Sequence, residues 1–101
     1  MREFRVIREP GFGNGFARRQ VVLGFMWAVA RPCTVTEIMN VLHRADFAID
    51  NKQVSDLLRQ QTRRGRVVRH RRGVYEAVQA SVSRSTRQRA IRAATRRGVV
   101  G

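Results

Sequence analysis

Arginine decides what chemistry this chain can do. Lys52, Asp56, Arg59 and Arg63 stand three or four residues apart, which puts them on one face of a helix. Arg64, Arg66, Arg69, Arg71 and Arg72 follow directly, with Gly65 and Gly73 as breaks. A guanidinium is planar and permanently charged, and it forks onto two phosphate oxygens or onto a guanine edge. A mostly cationic helix face followed by a hairpin tipped with arginines predicts the reading head of a nucleic-acid-binding domain.

The charge is polarised along the chain. Residues 1–50 hold seven arginines against five acids, whereas residues 51–101 hold thirteen arginines and Lys52 against only Asp56 and Glu76. A net charge of +14 gathered on one half points to a polyanion there. Double-stranded DNA is the first candidate partner and RNA the second. A GC-rich coding sequence explains part of the ratio of twenty arginines to one lysine, but not its uneven placement.

Other chemistry is poorly served. Cys33 is the single cysteine and His43 and His70 are far apart, so no four-ligand metal set can be assembled. Cys33 reads as a buried apolar residue and His43 as an exposed one near a helix end. Without paired carboxylates or a nucleophile triad, no catalytic residue, metal or cofactor is expected. Residues 18–30 imitate an export signal, with Arg18-Arg19 before an apolar run and Ala28-Val29-Ala30 after it. The run suits a core helix better, and it is too short to span a bilayer. A reducing compartment, cytoplasmic and associated with the nucleoid, is the expected location, with no membrane partner.

The elements that must position these residues follow from local signals. Residues 2–9 alternate charged and apolar, as a short strand would. The glycines of PGFGNGF fit no phosphate-binding spacing and read as a loop, with Phe12 and Phe16 pinning it to the core. Asn14 is placed to cap a helix from about Phe16 to Ala30, whose Val21, Val22, Phe25, Met26 and Val29 form a broad apolar face. Arg31-Pro32 ends it. Cys33-Thr34-Val35 makes a strand stub, and Thr34 with Glu37 a capping box that opens a helix burying Ile38, Val41 and Leu42. Phe47 and Ile49 anchor the turn that follows. Asp50 and Gln53 form a second capping box, Val54, Leu57, Leu58 and the stem of Gln61 point inward, and Gly65 stops the helix. Val67–His70 and Val74–Val78 pair as a hairpin. Ser81–Ser85 reads as a linker, and Ser85 with Gln88 as a box opening a basic helix that Gly98 ends. That helix has a thin apolar face of Ala90, Ile91 and Ala94, and is marginal alone in water.

From about Phe16 to Val78 the chain resembles a winged helix-turn-helix domain of bacterial and phage transcription regulators. The resembling residues are Thr34-Val35-Thr36-Glu37-Ile38, Val54-Ser55-Asp56-Leu57-Leu58, and Gly65-Arg66-Val67-Val68-Arg69 returning at Gly73-Val74-Tyr75. One departure stands out: the turn from His43 to Asp50 is longer than the family's tight turn. The resemblance implies an α+β, mainly helical fold, with a three-helix core and a β-hairpin wing over residues 16–79. Residues 1–15 would be an arm and residues 80–101 a linker with a basic tail. It also implies that the third helix enters the major groove. Carried over, Asn51, Lys52, Ser55, Asp56, Arg59 and Arg63 become candidates for groove contact.

Chemistry then suggests individual roles. Asn51 and Gln53 suit adenine, Arg59 suits guanine, and Asp56 is expected to orient Lys52 and Arg59. Arg64, Arg66, Arg69, Arg71 and Arg72 are placed on phosphates, the last two also in a narrow minor groove. Thr34 and Thr36, at a helix start, add backbone contacts. The leading function is a small sequence-reading regulator that acts by occupying a promoter. A sequence-independent nucleoid-type or RNA binder and a protein-interaction module are the alternatives. A homodimer through residues 16–30 and the C-terminal segment is a further expectation.

Overall fold

A computed structural model describes residues 10–100, with side chains from residue 15 onward. The expected strand at residues 2–9 and the expected role of Phe12 lie outside the described residues. The elements run α1 (Pro10–Val29), β1 (Cys33–Thr34), α2 (Val35–Arg44), α3 (Asn51–Arg63), β2 (Val67–Arg71), β3 (Val74–Ala77), a 3-10 turn (Gln79–Ser81) and α4 (Arg84–Arg96). The fold is α+β and mainly helical. Its antiparallel sheet has the order β1-β3-β2.

The start of α1 corrects the sequence reading. The stretch expected as a glycine loop is helical from Pro10, a residue whose fixed φ suits a first helical position. Glycines inside a helix cost only about 1 kcal/mol each, and the packed helix that follows propagates back over them. Asn14 therefore sits inside the helix and not at its cap. Phe16 is 54% exposed, with the Arg19 guanidinium 5.3 Å from its ring centre, and it pins nothing to the core.

Residues Val21 to Trp27 are all buried within the single chain, and α4 supplies much of the cover. At Gly24 the two helices meet backbone to backbone: a Cβ built there would lie 2.5 Å from the Ala90 carbonyl carbon. Ala90, Ala93 and Ala94 are buried at this crossing, with Ile91 at its edge. Small residues on both sides let the axes approach closely. The segment set apart above as linker and tail thus contributes to the core, which also takes in Val99. Its helix starts two residues earlier than expected. Ser83, not Ser85, is the N-cap, and its hydroxyl accepts from the Thr86 N–H at 3.2 Å.

Helix α2 begins where expected, with the Thr34 hydroxyl accepting from the Glu37 N–H at 3.0 Å. The box is only half formed, because the Glu37 carboxylate turns to the Arg31 guanidinium, at 2.5 Å. Helix α3 has the full reciprocal box between Asp50 and Gln53. The Arg66 N–H reaches back to the Gln61 carbonyl and the Gly65 N–H to Thr62, at 3.1 and 3.0 Å, which is a Schellman closure with Gly65 at φ +76°. The same closure ends α2 with Asp46 in the left-handed position, φ +69°. Cys33 is buried in β1, and burial pushes its thiol up to about 11.

Candidate nucleic-acid interface

Three contacts set the attitude of the hairpin against α2. Strand β1 pairs with β3, Cys33 opposite Tyr75 and Thr34 opposite Val74. One residue on, the Val35 N–H donates to the Gly73 carbonyl at 2.9 Å, so the hairpin turn is tied to the first turn of α2. The hairpin itself closes through Arg72 and Gly73, with Gly73 at φ +77°, and an irregularity between Arg69 and Arg71 adds local twist.

The long turn between α2 and α3 is held on several sides. Ala45, Phe47 and Ile49 bury their side chains. His43 Nε2 meets the Ile49 carbonyl at 2.9 Å. Arg18 donates to the Ala48 carbonyl at 3.1 Å, and Arg97 donates to the Ala45 carbonyl at 3.0 Å. The Arg97 guanidinium also lies 4.6 Å from the centre of the Phe47 ring. Arginines of α1 and of the α4 C-terminus thus fix a loop on the far side of α2.

On this frame, Thr36, Asn51, Ser55, Arg59, Arg69 and Arg72 line one cleft of about 440 Å³ between α2, α3 and the hairpin, with Val35, Gly73 and Tyr75 completing its wall. Asn51, Ser55 and Arg59 recur every four residues, so they form a single ridge along α3. No carboxylate lines this cleft. The acids nearby are engaged: Glu37 with Arg31, Glu76 with His70, and Asp56 with both Lys52 and Arg59. Lys52 Nζ lies 3.1 Å from Asp56. The hydrogen bond from Lys52 holds the Asp56 carboxyl below its ordinary range, with Arg59 acting in the same direction. Asp56 is therefore ionised and orients its two cations, the arrangement expected from their spacing.

The remaining candidates divide among other places. Gln53 and Arg63 line a second concavity of about 610 Å³ between α1 and α3, which Arg59 shares. The Gln53 side-chain oxygen already accepts from the Asp50 N–H at 3.0 Å, so only its amide NH2 is open for a base. Arg66 faces a smaller cleft with Arg19 and Arg89. Burial first, then Arg64 and Arg66, pull the Arg19 pKa down from its ordinary value, which places those arginines in one positive neighbourhood at the end of α3. Lys52, Arg71 and Thr34 are exposed but line neither of the two large concavities, and the Thr34 oxygen is occupied as a cap.

Sequence reading missed Arg18, Arg19 and Gln60, which line the α1–α3 concavity, and Tyr75 in the hairpin cleft. Nothing local marks them, since α1 packs on α2 and only then faces α3 across this concavity. Among the described residues no group of three or more His, Cys, Asp or Glu could hold a metal ion. No described helix is long and apolar enough to cross a membrane. No family model, no curated protein and no solved structure matches this chain.

Proposed function

We propose that α2, α3 and the hairpin form a winged helix-turn-helix unit that binds double-stranded DNA, with α3 in the major groove and the hairpin as its wing. The observation that carries this is the convergence of Thr36, Asn51, Ser55, Arg59, Arg69 and Arg72, from three elements, on one cleft without a carboxylate. A purely solvated surface does not require such convergence, and uncompensated like charge favours a polyanionic partner.

In this reading Asn51 donates to and accepts from an adenine edge, Ser55 bonds a neighbouring base, and Arg59 forks onto guanine. The Lys52–Asp56–Arg59 network holds Arg59 in register before DNA arrives, which lowers the ordering cost of binding. Arg69 and Arg72 meet a phosphate strand from the wing, with Thr36 at the positive end of α2. Arg19 and Arg63 meet a second stretch of backbone on the other side of α3. The protein acts as a small transcriptional regulator by occupying its site and excluding other proteins from it.

Selection from a randomised duplex pool tests the reading. The expected result is an enriched motif, lost on Asn51→Ala with Arg59→Ala, and an affinity that falls about a thousandfold or more between 50 and 200 mM salt if six to ten phosphates are neutralised. Enrichment of no motif, with equal affinity for all duplexes, would replace it by sequence-independent binding.

A further inference from the structure

The outward face of α4 has no task in the cleft. Arg84, Arg89, Arg92 and Arg96 are all exposed, and none makes a hydrogen bond or ion pair with another described residue. This sets them apart from the two other arginines in the segment. Arg87 donates to the Gln79 carbonyl at 2.6 Å, and Arg97 braces the α2–α3 turn. At 3.6 residues per turn the four unengaged guanidiniums fall within about 140° of arc. That arc lies opposite the buried Ala90, Ala93 and Ala94, and exposed Ser85 and Gln88 fall between them.

Helix stability does not explain this face. Like charges three or four residues apart destabilise a helix by about 0.2–0.5 kcal/mol per pair. Arg84 stands in the first turn, where the helix dipole favours an acid and none is present. After Glu76 the chain contains no acid at all. Such a face gains from a polyanion what it lacks within the chain.

We propose that α4 carries a second, sequence-independent surface for the nucleic-acid backbone, so that one molecule joins two duplex segments. It rests on the proposed reading only in taking the α3 cleft as the first surface. From Arg84 to Arg96 the helix rises about 18 Å, a length over which a duplex presents about five phosphates on each strand. An anionic bilayer suits this face less well. An interfacial helix needs an apolar side to insert, and the apolar side of α4 is already packed on α1 at Gly24. Helix α4 docks on α1, while α3 docks on α2 and the hairpin. Arg89 alone of the four borders the cleft that Arg19 and Arg66 line, and Arg84, Arg92 and Arg96 line neither concavity of α3, which leaves room for two duplexes at once.

The test is a full-length variant with Arg84, Arg89, Arg92 and Arg96 all changed to Gln. Wild-type protein on a bead-bound duplex of random sequence should capture a second, labelled random duplex. The variant should capture at least tenfold less and still bind a single duplex, and the slope of log affinity for the second duplex against log salt should be smaller by about 3.6, for four phosphates lost. The same loss of slope must appear when the four changes are made on an Arg59→Gln, Arg72→Gln background. Failure of the α3 cleft as a reader would then leave this result standing. If circular dichroism shows the fourfold variant unfolded, the pairs Arg84/Arg92→Gln and Arg89/Arg96→Gln should each remove about half of that slope. Unchanged capture and slope, capture through a dimer that survives all four changes, or tighter binding to phosphatidylserine vesicles than to duplex would each overturn the proposal.

Discussion

Replacing Gly24 by Ala adds one methyl group where α1 and α4 touch, and its effect can be worked from the geometry. The new Cβ would lie 2.5 Å from the Ala90 carbonyl carbon and closer still to its oxygen. Ordinary contact needs about 3.5 Å, so the helices must separate by roughly 1 Å. The obstacle is backbone, which cannot swing aside as a side chain would. Overpacking of this kind costs about 1–3 kcal/mol, and here the upper part of that range applies. Better helix propensity returns about 1 kcal/mol. The net loss of about 2 kcal/mol should lower Tm by about 8–16 °C in a domain of this size, read by far-UV circular dichroism. Gly15→Ala on the same helix is the control. A Cβ there meets nothing within 4 Å, so that variant should hold or raise Tm. If Gly24→Ala also held or raised Tm, α4 would not be docked on α1 as described, and the outward face assigned to Arg92 and Arg96 would lose its basis.

Three further outcomes are expected. Ala30 ends α1 at φ +52°, a left-handed position that costs a residue with a Cβ about 1 kcal/mol. Ala30→Gly should therefore raise stability in urea by about 0.5 kcal/mol after its greater unfolded-state entropy is counted; a loss would mean that the helix ends differently. Arg97→Ala removes both the bond to the Ala45 carbonyl and the contact with Phe47. It should destabilise by about 1–2 kcal/mol and weaken duplex binding, whereas Arg97→Lys should restore the first effect only in part. Cys33, with its thiol pushed up to about 11 by burial, should resist a thiol reagent at pH 8 until the protein is unfolded. Because the neutral thiol is favoured in the fold, this contribution is complete below the ordinary thiol pKa and is lost as pH rises through about 11. Cys33→Ala should remove that part of the alkaline unfolding profile.

Much of the frame was legible because its signals are local. The Asp50–Gln53 box, the inward set Val54, Leu58 and Gln61, the stop at Gly65 and the hairpin closed by Gly73 each depend on residues a few positions apart. The failures have a common cause. Glycine spacing in PGFGNGF argued for a loop, but cooperative extension of a packed helix outweighs a weak local preference. A helix whose apolar face is Ala90, Ile91 and Ala94 looked marginal alone, yet alanine is what the crossing at Gly24 requires. Small residues signal close approach only when the partner glycine is known, and here it lies 66 residues away in the chain.

The cleft divides along the same line. The four-residue spacing of Asn51, Ser55 and Arg59 could be read as one ridge, and Asp56 between Lys52 and Arg59 as their anchor. That Arg69, Arg72 and Thr36 face this ridge could not, because it depends on the Val35–Gly73 bond and on β1 pairing with β3, both joining residues about forty positions apart. Nor could the splitting of Arg63 and Arg66 from the cleft, since Arg63 lines the concavity with α1 and Arg66, past the closure at Gly65, lines the one with Arg19 and Arg89. The longer α2–α3 turn is the one departure from the resembling pattern, and it is tied down by His43, Arg18 and Arg97. Two of these ties are arginines that charge counting alone would assign to a polyanion. Part of the positive charge therefore holds α3 in position, and only the exposed, unpaired remainder is left for the duplex that we propose.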